Sequence, residues 1–132
     1  NYNLNLTRKV QISLKSTART FWQEISYRES FYVLLLNRAN KVIGHSRISL
    51  GGVHGTVADA KLIFQVALKA NASSIVLCHN HPSGNDKPSE ADLSLTKRLV
   101  KAGDFLEIKV MDHIILLPRE GFLSFVREGL MT

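Results

Sequence analysis

Residues 73–81, SSIVLCHNH, followed at once by PSGNDKPSEAD over residues 82–92, decide how this chain is read. The apolar run through Ile75, Val76 and Leu77 predicts a strand buried on both faces. Such a strand delivers its final residues to one edge of the sheet, where ligands commonly bind in α/β folds. Residues two apart in a strand project to the same side, so His79 and His81 aim both imidazoles at one point while Asn80 faces away. The turn-rich loop PSGNDKP then leads to a helix from about Ser89 to Ala102, with Gly103 as its terminator. Asp92, eleven residues beyond His81, falls within the first turn of that helix and can be folded back over the strand end. His, His and Asp form a nitrogen-and-oxygen set suited to Zn²⁺. Three protein ligands leave a fourth tetrahedral position open, the arrangement of a catalytic rather than a structural site.

Working outward, ADAKLIFQVALKAN upstream reads as a helix, opened by Thr56 and Asp59 as a capping-box pair. Leu62, Ile63, Val66, Ala67 and Ala70 mark its expected inner face. Before it, FYVLLLN and KVIGHSRISL form a hairpin around the RAN segment. Val10, Ile12 and Leu14 suggest a further strand, and residues 16–26 a helix burying Phe21, Trp22 and Ile25. Downstream, LEIKV and DHIILLP close the sheet, and the tail from Gly121 is expected to pack as an irregular turn or short helix. Strand, helix, strand, helix, strand is an α/β pattern, a three-layer-like mixed β-sheet flanked by helices. At 132 residues the chain supports one sizeable core but hardly two, so a single domain over residues 1–132 is expected.

Composition narrows the function classes. No stretch approaches the roughly 20 consecutive apolar residues of a membrane span, and no secretory leader is evident, so a soluble, cytoplasmic protein is expected. Cys78 is the one cysteine, which excludes an intramolecular disulfide and a cysteine-based zinc cage and suits a small buried filler. The net charge of +6 favours polyanionic partners without identifying one. Lys97, Arg98 and Lys101 on the third helix are read as a solvated basic face, with phosphate contact as the sharper alternative. A zinc nucleobase deaminase would need His-x-Glu and Pro-Cys-x-x-Cys, which the chain lacks. The letters HNH do not make an endonuclease, because that motif's histidines are dispersed.

A zinc-activated water needs a base. Glu90 neighbours Asp92 but should point away from it. Glu24 belongs to the polar side of the first helix, whereas Glu29 sits at the edge of the strand FYVLLL and is the better candidate. His45, His54 and His113 have weaker claims, the last reading as an imidazole that packs or hydrogen-bonds near the sheet. Ser89 and Asp92 also read as an N-cap and a first-turn acid favoured by the helix dipole, which does not exclude ligation.

His79-x-His81-Pro82 with Ser89-x-x-Asp92 resembles the JAMM motif of MPN-domain metalloproteases. The sharper resemblance is to RadC-like proteins, the bacterial branch, whose HNHPSG stands at residues 79–84 and whose PSxxD stands at residues 88–92. It extends over about residues 29–124, including LLLNRANKV, TVADAKLIF and DHIILL. The resemblance implies the MPN/JAMM, cytidine deaminase-like architecture, with His79, His81 and Asp92 as zinc ligands, Glu29 as general base and Ser89 as the serine that stabilises the oxyanion. The implied reaction is zinc-dependent amide or isopeptide hydrolysis. Expected partners are a peptide or isopeptide substrate, with nucleic acid and a second copy of the chain as further candidates; the alternative function is a DNA-repair-associated nucleic-acid-binding module with a vestigial or structural metal site. Arg47 is one departure, near where RadC-like proteins often carry an acid on the second hairpin strand. Were that acid the true base, this chain would be impaired. Full-length RadC proteins also carry an N-terminal helix-hairpin-helix region, for which nothing before Asn5 leaves room, and the expectation of a DNA role is weaker for it.

Overall fold

A computed structural model describes residues 29–50, 58–118 and 121–131. The expected N-terminal strand and helix, Glu24, His54 and Thr56 lie outside the described residues.

The hairpin forms as its pattern predicts. Strand β1 (Ser30–Leu36) is buried along its whole length and pairs antiparallel with β2 (Val42–Leu50). The turn between them is made by asparagine chemistry: the Asn37 side-chain oxygen accepts the backbone N–H of Ala39 and Lys41, and Asn40 adopts a left-handed conformation at φ 59°.

Helix α1 (Ala60–Lys69) follows, then strand β3 (Ser74–Asn80), helix α2 (Glu90–Leu106), strand β4 (Lys109–Leu116) and a three-residue strand β5 (Phe122–Ser124). The sheet order is β2-β1-β3-β4-β5, with β3 and β4 parallel across α2 and every other neighbour antiparallel. Among the described residues this is a mixed five-stranded sheet with two helices, an α/β fold consistent with the MPN/JAMM architecture that the resemblance implies. No helix of the described residues is long and apolar enough to cross a membrane.

Both described helices pack on one face of the sheet, where Phe31, Val33, Leu35, Ile75 and Leu77 meet Ile63, Phe64 and Ala67 of α1 and Leu99 of α2. The other face carries a second buried cluster around Tyr32, Leu34, Val76, Cys78 and Ile114. A strand that buries both sides has to be apolar almost throughout, which is why β1 and β3 show no alternation in sequence.

Local expectations are corrected at several points. Asp59 is itself the N-cap of α1, accepting the Lys61 N–H at 2.9 Å. The inner face of α1 uses Phe64, whereas Leu62 and Ala70 are exposed. Gly103 does not stop α2: the helix runs on to Leu106 and ends with Glu107 in the left-handed conformation. Gly103 is buried there, and a Cβ on it would stand 2.4 Å from the carbonyl oxygen of Ile108. Glycine at this position permits a close approach of helix and strand. LEIKV and DHIILLP do not form separate strands; the first begins as helix end and turn, and the remainder joins in β4. The tail forms β5 and then turns, tied down by Asp112, whose carboxylate accepts the Ser124 hydroxyl at 2.6 Å and the Val126 N–H at 3.1 Å.

One irregularity in the sheet positions the site. Along the β3–β4 pair the register slips by one residue, so that Ile75 faces Val110 while Val76 faces Asp112. The extra residue, Met111, turns Asp112 onto the second face and brings His113, opposite Leu77, onto the helix-covered face with His79.

Candidate metal centre

Strand β3 ends by placing His79 at a buried position, 2% exposed, where its ring stacks on Phe31. His81 lies one residue past the strand and continues the parallel ladder through its N–H to the Leu116 carbonyl. The segment after it then reverses: Gly84, at φ 82°, donates its N–H to the His81 carbonyl, and the Asn85 carbonyl comes within 2.8 Å of His81 Nδ1. A carbonyl can only accept, so Nδ1 of His81 carries the proton, and in the neutral ring Nε2 is a bare lone pair. That Nε2 stands 3.0 Å from Nε2 of His79.

Helix α2 supplies the carboxylate. Ser89 caps it in a reciprocal box, its hydroxyl oxygen accepting the Asp92 N–H at 3.0 Å while an Asp92 oxygen accepts the Ser89 N–H at 2.9 Å. The box fixes the Asp92 rotamer. Its Oδ1 lies 3.4 Å from His79 Nε2 and its Oδ2 lies 3.5 Å from His81 Nε2. A tetrahedral zinc with bonds near 2.0–2.1 Å holds its ligand atoms about 3.3 Å apart. The three separations cluster around that edge length, so the donor set fits a small tetrahedral cation in spacing as well as in chemistry.

Glu29 completes the cluster. Its Oε1 is 3.9 Å from His81 Nε2, and Glu29, His79 and His81 each offer a ligand atom within 4.8 Å of the others. The backbone beside Glu29 is pinned from β3: the Ser30 N–H donates to the Asn80 side-chain oxygen at 2.7 Å. Glu29, His81, Lys87, Pro88, Ser89 and Asp92 line part of a cleft of about 650 Å³. The Glu29 and Asp92 carboxylates and the His81 imidazole are therefore reachable from solvent, whereas His79 stays buried.

The charges respond to one another. Burial alone would raise the Asp92 carboxyl, but the adjoining imidazoles of His79 and His81 and the Ser89 N–H outweigh it and hold the group well below the usual carboxylate range. His81 is pushed up by the adjoining Asp92 carboxylate, against its partial burial. His113, wholly buried, is pushed well down by desolvation and by the neighbouring His79. Burial and the nearby Asp112 push the Cys78 thiol up, leaving it an inert filler.

Four residues singled out in the sequence, Glu29, His79, His81 and Asp92, are thus brought together, and Ser89 stands at the cleft wall. Arg47 is not among them: it pairs with Tyr32 in the β1–β2 register, on the face opposite His79, and is exposed. Three contributors went unrecognised: Asn80, whose side chain anchors β1, the Asn85 carbonyl, and Thr96; His113, expected to pack or hydrogen-bond near the sheet, does both, behind His79. Thr96, one helical turn after Asp92, could have been found by helical spacing. That His113 stands behind His79 could not, because its face depends on the register slip.

The fold and this cluster define an α/β domain that gathers two imidazoles and two carboxylates at a strand end. Residues 8–130 match the RadC-like JAB domain, and the chain belongs to that family. It is similar to a UPF0758 protein of Flavobacterium johnsoniae, 45% identical over 102 residues that cover 77% of this chain and 44% of that protein. A UPF0758 protein of Porphyromonas gingivalis is 44% identical over 104 residues, 79% of this chain and 46% of its own. One of Finegoldia magna is 45% identical over 117 residues, 87% of this chain and 52% of its own. The chain spans about half the length of the curated relatives it matches.

Proposed function

We propose that this domain is a zinc-dependent hydrolase of peptide or isopeptide bonds, with His79, His81 and Asp92 as metal ligands, Glu29 as general base and Ser89 as oxyanion donor. The observation that carries the reading is the convergence of two imidazole Nε2 atoms 3.0 Å apart with the Asp92 carboxylate 3.4 and 3.5 Å from them. Bound zinc supplies Lewis acidity, bringing the pKa of water to about 7 so that hydroxide is available near neutral pH.

The protein's own groups manage the rest. The Glu29 carboxylate, beside His81 at the cleft, takes the proton of the attacking water and passes it to the leaving amine. Ser89 already uses an oxygen lone pair on the Asp92 N–H, which leaves its hydroxyl proton free to donate to the oxyanion that develops on the scissile carbonyl. Pro82 and the turn after it hold His81 so that the open side of the cluster faces the cleft. The test is a screen of zinc-loaded protein against peptide and isopeptide libraries, with Glu29→Gln and His81→Ala alongside. Cleavage by the wild type that disappears in both variants is expected; cleavage retained by both removes the mechanism.

A second reading, contact with nucleic acid, rests on the net charge of +6 and on Lys97, Arg98 and Lys101, all exposed on α2. Phosphate contacts would make affinity for duplex or single-stranded DNA fall steeply with salt. Affinity insensitive to salt would argue against it.

A further inference from the structure

We infer that His113, held by Thr96, is a positioning residue that fixes His79 in the Nδ1–H tautomer, so that His79 presents a bare Nε2 before any metal arrives. The inference rests on the metal-centre reading and assigns a role to two residues outside the ligand set.

The protons can be counted along a chain of short contacts. The Thr96 hydroxyl donates to the backbone carbonyl of Asp92 at 2.7 Å. A hydroxyl has one proton, so toward His113 Nδ1, 2.6 Å away, the same oxygen accepts, and Nδ1 of His113 carries the hydrogen. His113 is wholly buried, and its ring nitrogens meet His79 and the Thr96 hydroxyl with no carboxylate against either. A buried imidazole so placed is neutral, which leaves its Nε2 as an acceptor. His79 Nδ1, 2.8 Å from that Nε2, must therefore donate. Its remaining nitrogen, Nε2, is the one that faces His81 and Asp92.

The same chain fixes geometry. It begins at the carbonyl of Asp92 and ends at His79, so two of the three proposed ligands are tied together through α2, β4 and β3. Phe125 stacks on His113 with ring centroids 4.3 Å apart, and Phe31 meets its edge. The His113 ring is thereby held in plane, and the direction of its hydrogen bond to His79 with it. Without this chain, His79 could place its proton on Nε2 and bond His81 or Asp92, which would block coordination until the proton moved. Partners of this kind behind a ligating histidine are typically worth about 10- to 100-fold in metal affinity.

The tautomer is read by nitrogen–proton correlation NMR of the zinc-free protein, and zinc affinity by competition with a chromophoric chelator. Wild-type His79 is expected as the Nδ1–H tautomer. His113→Leu should lower zinc affinity about 10- to 100-fold. Thr96→Val, a nearly isosteric change that keeps the fold, should lower it by about tenfold and shift His79 toward Nε2–H. His113→Gln, whose amide oxygen can still accept from His79, should recover much of the loss; a purely structural role would not predict that rescue. Wild-type protein without measurable zinc affinity overturns the metal-centre reading and this inference together. Zinc bound equally by wild type, His113→Leu and Thr96→Val, or a zinc-free wild-type His79 protonated at Nε2, overturns the inference alone.

Discussion

Along α1 the positions buried against the sheet are Ile63, Phe64 and Ala67, all apolar, whereas along α2 the inward stripe runs Asp92, Thr96, Leu99 and Gly103. The two helices cover the same face. Yet α1 contributes packing from end to end, and α2 changes character along its length, polar where it meets the end of β3 and apolar or bare where it meets the start of β4. Burying Asp92 and Thr96 would cost several kcal/mol if they lacked partners. They are tolerated because each has a partner: Asp92 accepts the Ser89 N–H and lies beside the two imidazoles, and Thr96 bonds the Asp92 carbonyl and His113. A helix whose inner stripe turns from apolar to polar toward its N-terminus marks where packing stops and chemistry begins.

That division of labour can be broken from either side. The largest effect is expected from Asp92→Asn, which should abolish zinc uptake, as measured by metal analysis after dialysis. The asparagine oxygen can still accept the Ser89 N–H, so the fold should persist. Chelation should then lower the thermal midpoint of the wild type, by linkage of binding to folding, and leave that of the variant unmoved. On the other helix, Ile63→Ala should cost about 3 kcal/mol in urea unfolding through the cavity it opens, with zinc affinity unchanged. Weakened zinc binding in that variant would show that α1 supports the site after all. The smallest effect is expected from Ser89→Ala, which removes one arm of the capping box and should destabilise by about 1 kcal/mol. A turnover loss much larger than that stability change implies would separate the oxyanion role of Ser89 from its role as a cap.

The sequence carried much of this in local patterns. Two histidines at i and i+2 on an apolar strand had to share a side, and a serine three residues before an aspartate had to open a helix in that register. Both statements need only neighbours in the chain, and the positions of His79, His81 and Ser89 agree with them. Glycine misled at residue 103 because composition cannot distinguish a helix stop from a close backbone approach; the carbonyl of Ile108, which requires the glycine, belongs to the next element. The inner face of α1 was misplaced by part of a turn for a similar reason, since Leu62 and Phe64 are equally apolar and the angle at which the helix meets β1 and β3 chooses between them.

The sequence by itself therefore determined the α/β class, the strand that ends in two imidazoles and the capped helix that carries Asp92, all set by periodicities of a few residues. The tertiary structure alone decided that Glu29 stands beside His81, that Arg47 faces away, and that His113 lies behind His79. Each of these depends on how separate strands are aligned. In the last case a single extra residue, Met111, moves His113 from one face of the sheet to the other. Side chains alternate with a period of two along a strand, so a one-residue slip reverses every face beyond it, and no local pattern in DHIILL records that the slip has occurred.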